Sequence, residues 1–178
     1  MKKKLLAAAK DRTLVNLWRD DIDASPVTGF GAGVGSEWCL LVYVNEEITY
    51  NGFVAVRLRD VSEVESPHVH HEFITKALEL KKLKEPEVPD VDLLGTGPLI
   101  MSVGRLFPVV TISRELVDPD TCQVGMPVQV QAGTVSLMEI DANAVWYEDV
   151  EWYPLSEVTR LDFGGGYEEA LRLVGGRN

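Results

Sequence analysis

Gly29-Phe30-Gly31-Ala32-Gly33-Val34-Gly35 is the stretch on which the fold turns. Four glycines in seven residues suit either a phosphate-cradling loop or a strand stripped of side chains on one face. A dinucleotide fingerprint needs its glycines at a strand-to-helix turn, with the helix N-terminus facing the phosphate. Here they recur at a strict period of two, with Phe30, Ala32 and Val34 between them, and period two belongs to a strand. Trp38-Cys39-Leu40-Leu41-Val42-Tyr43-Val44 follows, another run rich in β-formers. No Gly-Lys-Ser/Thr ends the glycine run, so a P-loop is absent. The stretch reads as a strand able to bend sharply and admit close backbone approach.

Outward from that strand, the chain shows a weak self-similarity at an offset of 94 residues. Ser62-Glu63-Val64 recurs as Ser156-Glu157-Val158, and Gly31 falls on Gly125. Phe73, Ala77 and Leu80 fall on Tyr167, Leu171 and Val174, the same helical stripe each time. Each unit reads as a first strand (13–19; 109–115), a bent strand (27–35; 122–131), a third (37–44; 134–141) and a fourth (52–58; 147–153). A short fifth strand and a helix (71–83; 166–174) complete it. Residues 85–98, with three prolines and two glycines, read as a linker lying along the surface. The expected fold class is mainly β with helices (α+β): two small bent-strand barrels, each followed by a helix, in a pseudo-symmetric pair. The units are 1–84 and 108–178, with 85–107 as linker and lead-in. The apolar stripes are expected to join the units through Phe73, Leu80, Tyr167 and Leu171.

"GMPVQVQAGTVSLMEID" (125–141) followed by "VEWYPLSEVTRLDF" (150–163) resembles the Sm-like small barrel, a relative of SH3-like barrels. "WCLLVYVN" (38–45) and "GFVAVRLRDVSEVE" (52–65) share its cadence. The resemblance implies a barrel fold, and in that family commonly RNA binding and ring formation. Two departures stand out. The helix follows each unit here, whereas in Sm-like proteins it commonly leads. Where the bacterial Sm-like chaperone carries its RNA-contacting Lys-His, this chain reads Tyr153-Pro154-Leu155-Ser156. Fold transfers from such a likeness more readily than function.

The charge is unevenly placed. Residues 1–84 hold twelve Lys/Arg and twelve Asp/Glu, while residues 85–178 hold five against sixteen, so the whole net charge of -11 lies in the second half. That field repels nucleic-acid phosphate and favours a cationic partner. Two cysteines, Cys39 and Cys122, form neither a disulfide scaffold nor a CxxC zinc pair. The apolar stretch Leu5–Ala9 is too short for a signal peptide before Lys10 interrupts it, and a cytoplasmic location is expected.

Three clusters are candidates for function. Trp146, Tyr147, Glu148, Asp149, Glu151 and Trp152 set aromatic rings among carboxylates, a surface suited to a basic protein segment through cation–π contact and charge pairing. Arg57 and Arg59 alternate on the fourth strand and, with the N-terminal lysines, are the basic footprint that could meet RNA. His68 and His70 point one way on an extended segment and could share a metal ion, with Glu72 as a further ligand. The reading adopted is a non-catalytic intracellular binding module without cofactor, engaging a protein partner through its acidic second half. An immunity- or antitoxin-like protein is one concrete form. An Sm-like RNA-binding protein and a metal-dependent enzyme at the histidines stand as alternatives, and association of copies into a homo-oligomer stays open.

Overall fold

The computed structural model describes residues 1–176. In chain order the first half comprises α1 (Lys2–Asp11), β1 (Leu14–Arg19), β2 (Asp23–Val34), β3 (Trp38–Val44), β4 (Tyr50–Arg57), β5 (Glu63–Glu65) and α2 (His71–Leu80). The second comprises α3 (Thr96–Gly104), β6 (Val110–Ser113), β7 (Cys122–Gln131), β8 (Thr134–Ile140), β9 (Trp146–Pro154), β10 (Arg160–Phe163) and α4 (Gly166–Gly175). Among the described residues no helix is long and apolar enough to cross a membrane.

The fold is mixed α+β and mostly β, with one antiparallel sheet in the order β5-β1-β2-β3-β4-β10-β6-β7-β8-β9. The sheet is not closed into a barrel. Instead of two separate closed units, β4 pairs along β10, Phe53 to Val56 opposite Phe163 to Arg160. That pairing satisfies two edges that would otherwise be open. In each half the last strand lies beside the first, so β10-β6-β7-β8-β9 is ordered as β5-β1-β2-β3-β4 is.

Register corrects the alignment of glycines. Gly29 stands opposite Val15 and Tyr43, and Gly125 stands opposite Val110 and Glu139, so Gly125 matches Gly29 rather than Gly31. Gly31 then corresponds to Pro127, and each strand is bulged just after that point.

Both halves open with a helix, which corrects the expectation that the helix only follows. α1 forms from Lys, Leu and Ala, strong helix formers, and buries Leu5 and Ala8. It lies directly on β2: a Cβ on Gly31 would stand 2.5–2.7 Å from main-chain atoms of Ala8 and Ala9. α3 occupies part of the expected linker. Pro98 falls in its first turn, where a missing N–H costs little, and Leu99, Ile100 and Val103 are buried. Here the helix supplies the small residue, Gly104, whose added Cβ would meet the Pro127 ring at 3.1–3.4 Å. The two contacts are reciprocal: strand glycine under helix backbone in one half, helix glycine over strand proline in the other.

The main core crosses from half to half. Leu14, Trp38, Leu40, Phe53 and Ala55 share one apolar cluster with Leu99, Val110, Leu137, Leu161 and Phe163. Phe53 stacks on Phe163 with ring centres 5.4 Å apart, and Phe107 closes on both. A second cluster, including Val15, Cys39, Leu41 and Val56, fills the other face of the first half. The segment before α3 lies against the start of β3: Trp38 N–H donates to the Leu93 carbonyl, and the Ser36 hydroxyl to that of Leu94. The expected joining residues are displaced. Phe73 (64% exposed), Leu80 (72%) and Tyr167 face solvent, while Leu171 is buried beside Val109 and Ile140 within the second half. Ile74 and Leu78 are the α2 residues that reach the shared core.

Candidate functional site

β9 carries the aromatic–acidic cluster and is the last strand of the sheet. Its ladder to β8 includes the Leu155 N–H bonded to the Gly133 carbonyl at 2.9 Å. Successive pairs alternate in direction and pairs two residues apart share it, so Tyr153 and Glu151, like Leu155, turn their main-chain groups to β8. Val150 and Trp152 therefore turn theirs outward. Pro154 occupies the next outward position, where a strand loses nothing by lacking an N–H.

Trp152 (42% exposed), Tyr147 (52%), Glu148, Asp149 and Glu151 all face solvent. Trp146 is half-buried and donates its indole N–H to the Gly175 carbonyl at 3.1 Å, tying β9 to α4. The structure thus brings five of the six residues together as accessible surface and uses the sixth as an anchor. Beside them Tyr153 donates to Glu139, with the Arg114 guanidinium 4.8 Å above its ring. Burial, and then the Glu139 hydrogen bond and charge, raise the Tyr153 phenol above its ordinary range.

Arg57 and Arg59 converge on the short helical turn Leu155–Glu157 of the other half. Buried Arg57 donates to the carbonyls of Ser156 (2.9 Å) and Leu155 (3.1 Å) and lies over the Trp38 ring. Exposed Arg59 donates to Ser156 at 3.3 Å and pairs with Asp60. Together with Glu37 and Thr96 they line a cleft of about 450 Å³. Burial lowers the Arg57 pKa and raises that of Asp60.

His68 and His70 sit in a turn, not on an extended strand. The His70 N–H donates to His68 Nδ1 at 2.8 Å, and the rings are 5.7 Å apart. Glu72 lies exposed in the first turn of α2, and His71 accepts the Leu14 N–H. Among the described residues no group of three or more His, Cys, Asp and Glu side chains is placed to hold a metal ion.

Two polar groupings were not visible in the sequence, because their members lie far apart in the chain. Arg19, from β1, forms a two-pronged pair with Glu115, at 2.5 and 2.9 Å. Burial opposes ionisation of Glu115, but hydrogen bonds from Arg19 and Thr159 outweigh it and hold the carboxyl below its ordinary range. Near the junction of the halves, Tyr43, Cys122, Arg160, Asp162 and Glu168 line a crevice of about 300 Å³. Burial raises the Asp162 pKa against the pull of Arg160, which it meets at 2.7 Å. The Cys122 thiol is raised too, by burial and then by Asp162 and Glu168, the reverse of what a nucleophilic cysteine needs.

Comparisons with protein-family models, with curated proteins and with solved structures find no match. The chemistry of the β9 surface is therefore what the functional reading rests on.

Proposed function

We propose that the protein is a non-catalytic binding module made of two Sm-like small-barrel units joined edge to edge, whose acidic second half engages a basic protein through the β9 surface. The matching strand order, the matching bulges of β2 and β7 and the leading helices α1 and α3 support the two-unit reading. One observation carries the function. β9 ends the sheet with outward main-chain groups, while Tyr147, Trp152 and three carboxylates stand exposed along it. Aromatic rings and acids on an open edge suit a lysine- or arginine-bearing surface through stacking, cation–π contact and charge pairing.

The test is retention of host proteins on the immobilised chain at low salt. Proteins of high isoelectric point should be held by the wild type and released when Tyr147→Ala, Glu151→Gln and Trp152→Ala are combined. Retention of the same set by the triple variant refutes the reading. Exposed Arg59 beside the cleft favours RNA binding as the second reading. A salt-dependent RNA shift abolished by Arg59→Ala would put it first.

A further inference from the structure

We infer that β9 is the receiving edge for a cationic extended strand of a different protein, added as β10 is added to β4, and that a second copy of this chain is kept from that place. The inference rests on the binding role proposed above and specifies its mode and partner chemistry.

The chain contains the template for such an addition. The Arg57 N–H bonds the Thr159 carbonyl within the β4–β10 ladder, so Ala55 and Phe53 turn their main-chain groups toward Leu161 and Phe163. Strand pairing places β9 as the second half's counterpart of β4. Cys39 faces Val56 as Val135 faces Tyr153, and Leu40 faces Ala55 as Ser136 faces Trp152. Trp152 and Val150 thus occupy the places of Ala55 and Phe53. What β10 supplies to β4, nothing among the described residues supplies to β9.

A second copy could offer its own β9, which would set one acidic edge against another, or its counterpart of β10, which is β5. Val64 faces Leu17 as Leu161 faces Ile112, so Val64 would stand opposite Trp152 and Glu65 opposite Glu151. Carboxylates directly opposite repel. At the internal junction the corresponding acid, Asp162, faces the apolar Val54 and carries Arg160 at its side. The β5 edge is also occupied: Lys4 Nζ donates to the Val64 carbonyl at 3.2 Å. A lysine laid on a short edge strand is a device that blocks edge-to-edge growth. β5 is guarded, while β9 is acidic and open. The strand that fits β9 alternates cationic residues, facing Glu151, with apolar ones, facing Trp152 and Val150.

The probes are acetyl-Lys-Val-Lys-Val-Lys-Val-amide and its Glu-for-Lys counterpart, titrated into the full-length protein. The lysine peptide should bind at least about tenfold more tightly at low salt, and lose about that factor as salt rises. Amide exchange should slow at Val150 and Trp152, whose N–H groups face outward, and stay unchanged at Glu151 and Tyr153. Trp152→Pro should fold yet lose binding, since it removes an outward N–H and spares the β8 ladder. Glu151→Lys should reverse the peptide preference. The unliganded wild type should sediment as a monomer. Binding without slowed exchange at Val150 and Trp152 would overturn strand addition while leaving the β9 surface as the binding face. Absence of binding by either peptide, with Trp152 fluorescence unmoved, would overturn both readings. Rings or filaments of wild type would make a second copy the occupant, and equal affinity for the two peptides would remove the cationic requirement.

Discussion

Gly31 shows how much a single absent side chain can hold. The main chain of Ala8 and Ala9 fills the space its Cβ would need, and backbone cannot step aside as a flexible side chain can. Gly31→Ala should cost about 3 kcal/mol in urea unfolding, at the upper end of overpacking penalties. Gly104→Ala should stay within about 1 kcal/mol of wild type, because the Pro127 ring gives a little and alanine favours helix. Glu115 is the second telling residue. Its folded pKa is depressed, so its pair with Arg19 contributes stability above the unfolded pKa, and that contribution is lost as pH falls through the folded value. Glu115→Gln should therefore destabilise at neutral pH by about 3 kcal/mol, the scale of a broken buried pair. The penalty should shrink as pH drops below the ordinary carboxylate range. A pH-independent penalty in thermal melts would show that the charge is not what matters.

β4 and β9 occupy matching places in the sheet but differ in what lies beyond them. Ala55 on β4 sends its N–H toward β10, and Trp152 on β9 sends its N–H to solvent. Proline at either position leaves the ladder to the preceding strand intact. Ala55→Pro should nonetheless cost about 3 kcal/mol or more, by breaking the junction of the halves, while Trp152→Pro should cost about 1 kcal/mol or less. Circular dichroism and denaturant midpoints of the two variants decide the matter; equal losses would show that β9 is not a free edge. Gly52 marks the same junction. Its φ of +72° is left-handed, and an added Cβ would stand 2.4 Å from the backbone of Gly164 and Gly165. Glycine alone lets β4 pass so close to the start of α4.

The whole molecule should unfold in one cooperative step. Each half is small for an independent core, and the largest apolar cluster draws on both. Burial across that cluster, at roughly 25 cal/mol per Å², supplies what neither half holds alone. Residues 1–88 and 95–178 expressed separately should be insoluble or molten and should regain structure when mixed. Two calorimetric transitions, or two well-folded halves, would show that the units are independent.

The strands were legible in the sequence because a half-buried strand writes its period of two in its side chains. The run Gly29–Gly35 rejected a phosphate loop on that ground alone, and β2 runs through it to Val34. The trailing helices α2 and α4 were legible from their apolar stripes. The leading helices were not: α1 is lysine-rich and its apolar Leu5–Ala9 stretch was weighed only against a signal peptide, and Pro98 with two neighbouring glycines disguised α3 as linker. Each forms by resting on a strand remote in sequence, so its stability is tertiary. The aromatic–acidic cluster was visible as composition, but its value as a surface depends on β9 standing last in the sheet. Phe73, Leu80 and Tyr167 carried the pattern of an interface and face water, because an apolar stripe says only that something could cover it. Local patterning determined the elements, since it acts between residues a few positions apart. Tertiary structure alone decided which edges meet and which stays open, because strand pairing is made by main-chain groups common to every residue.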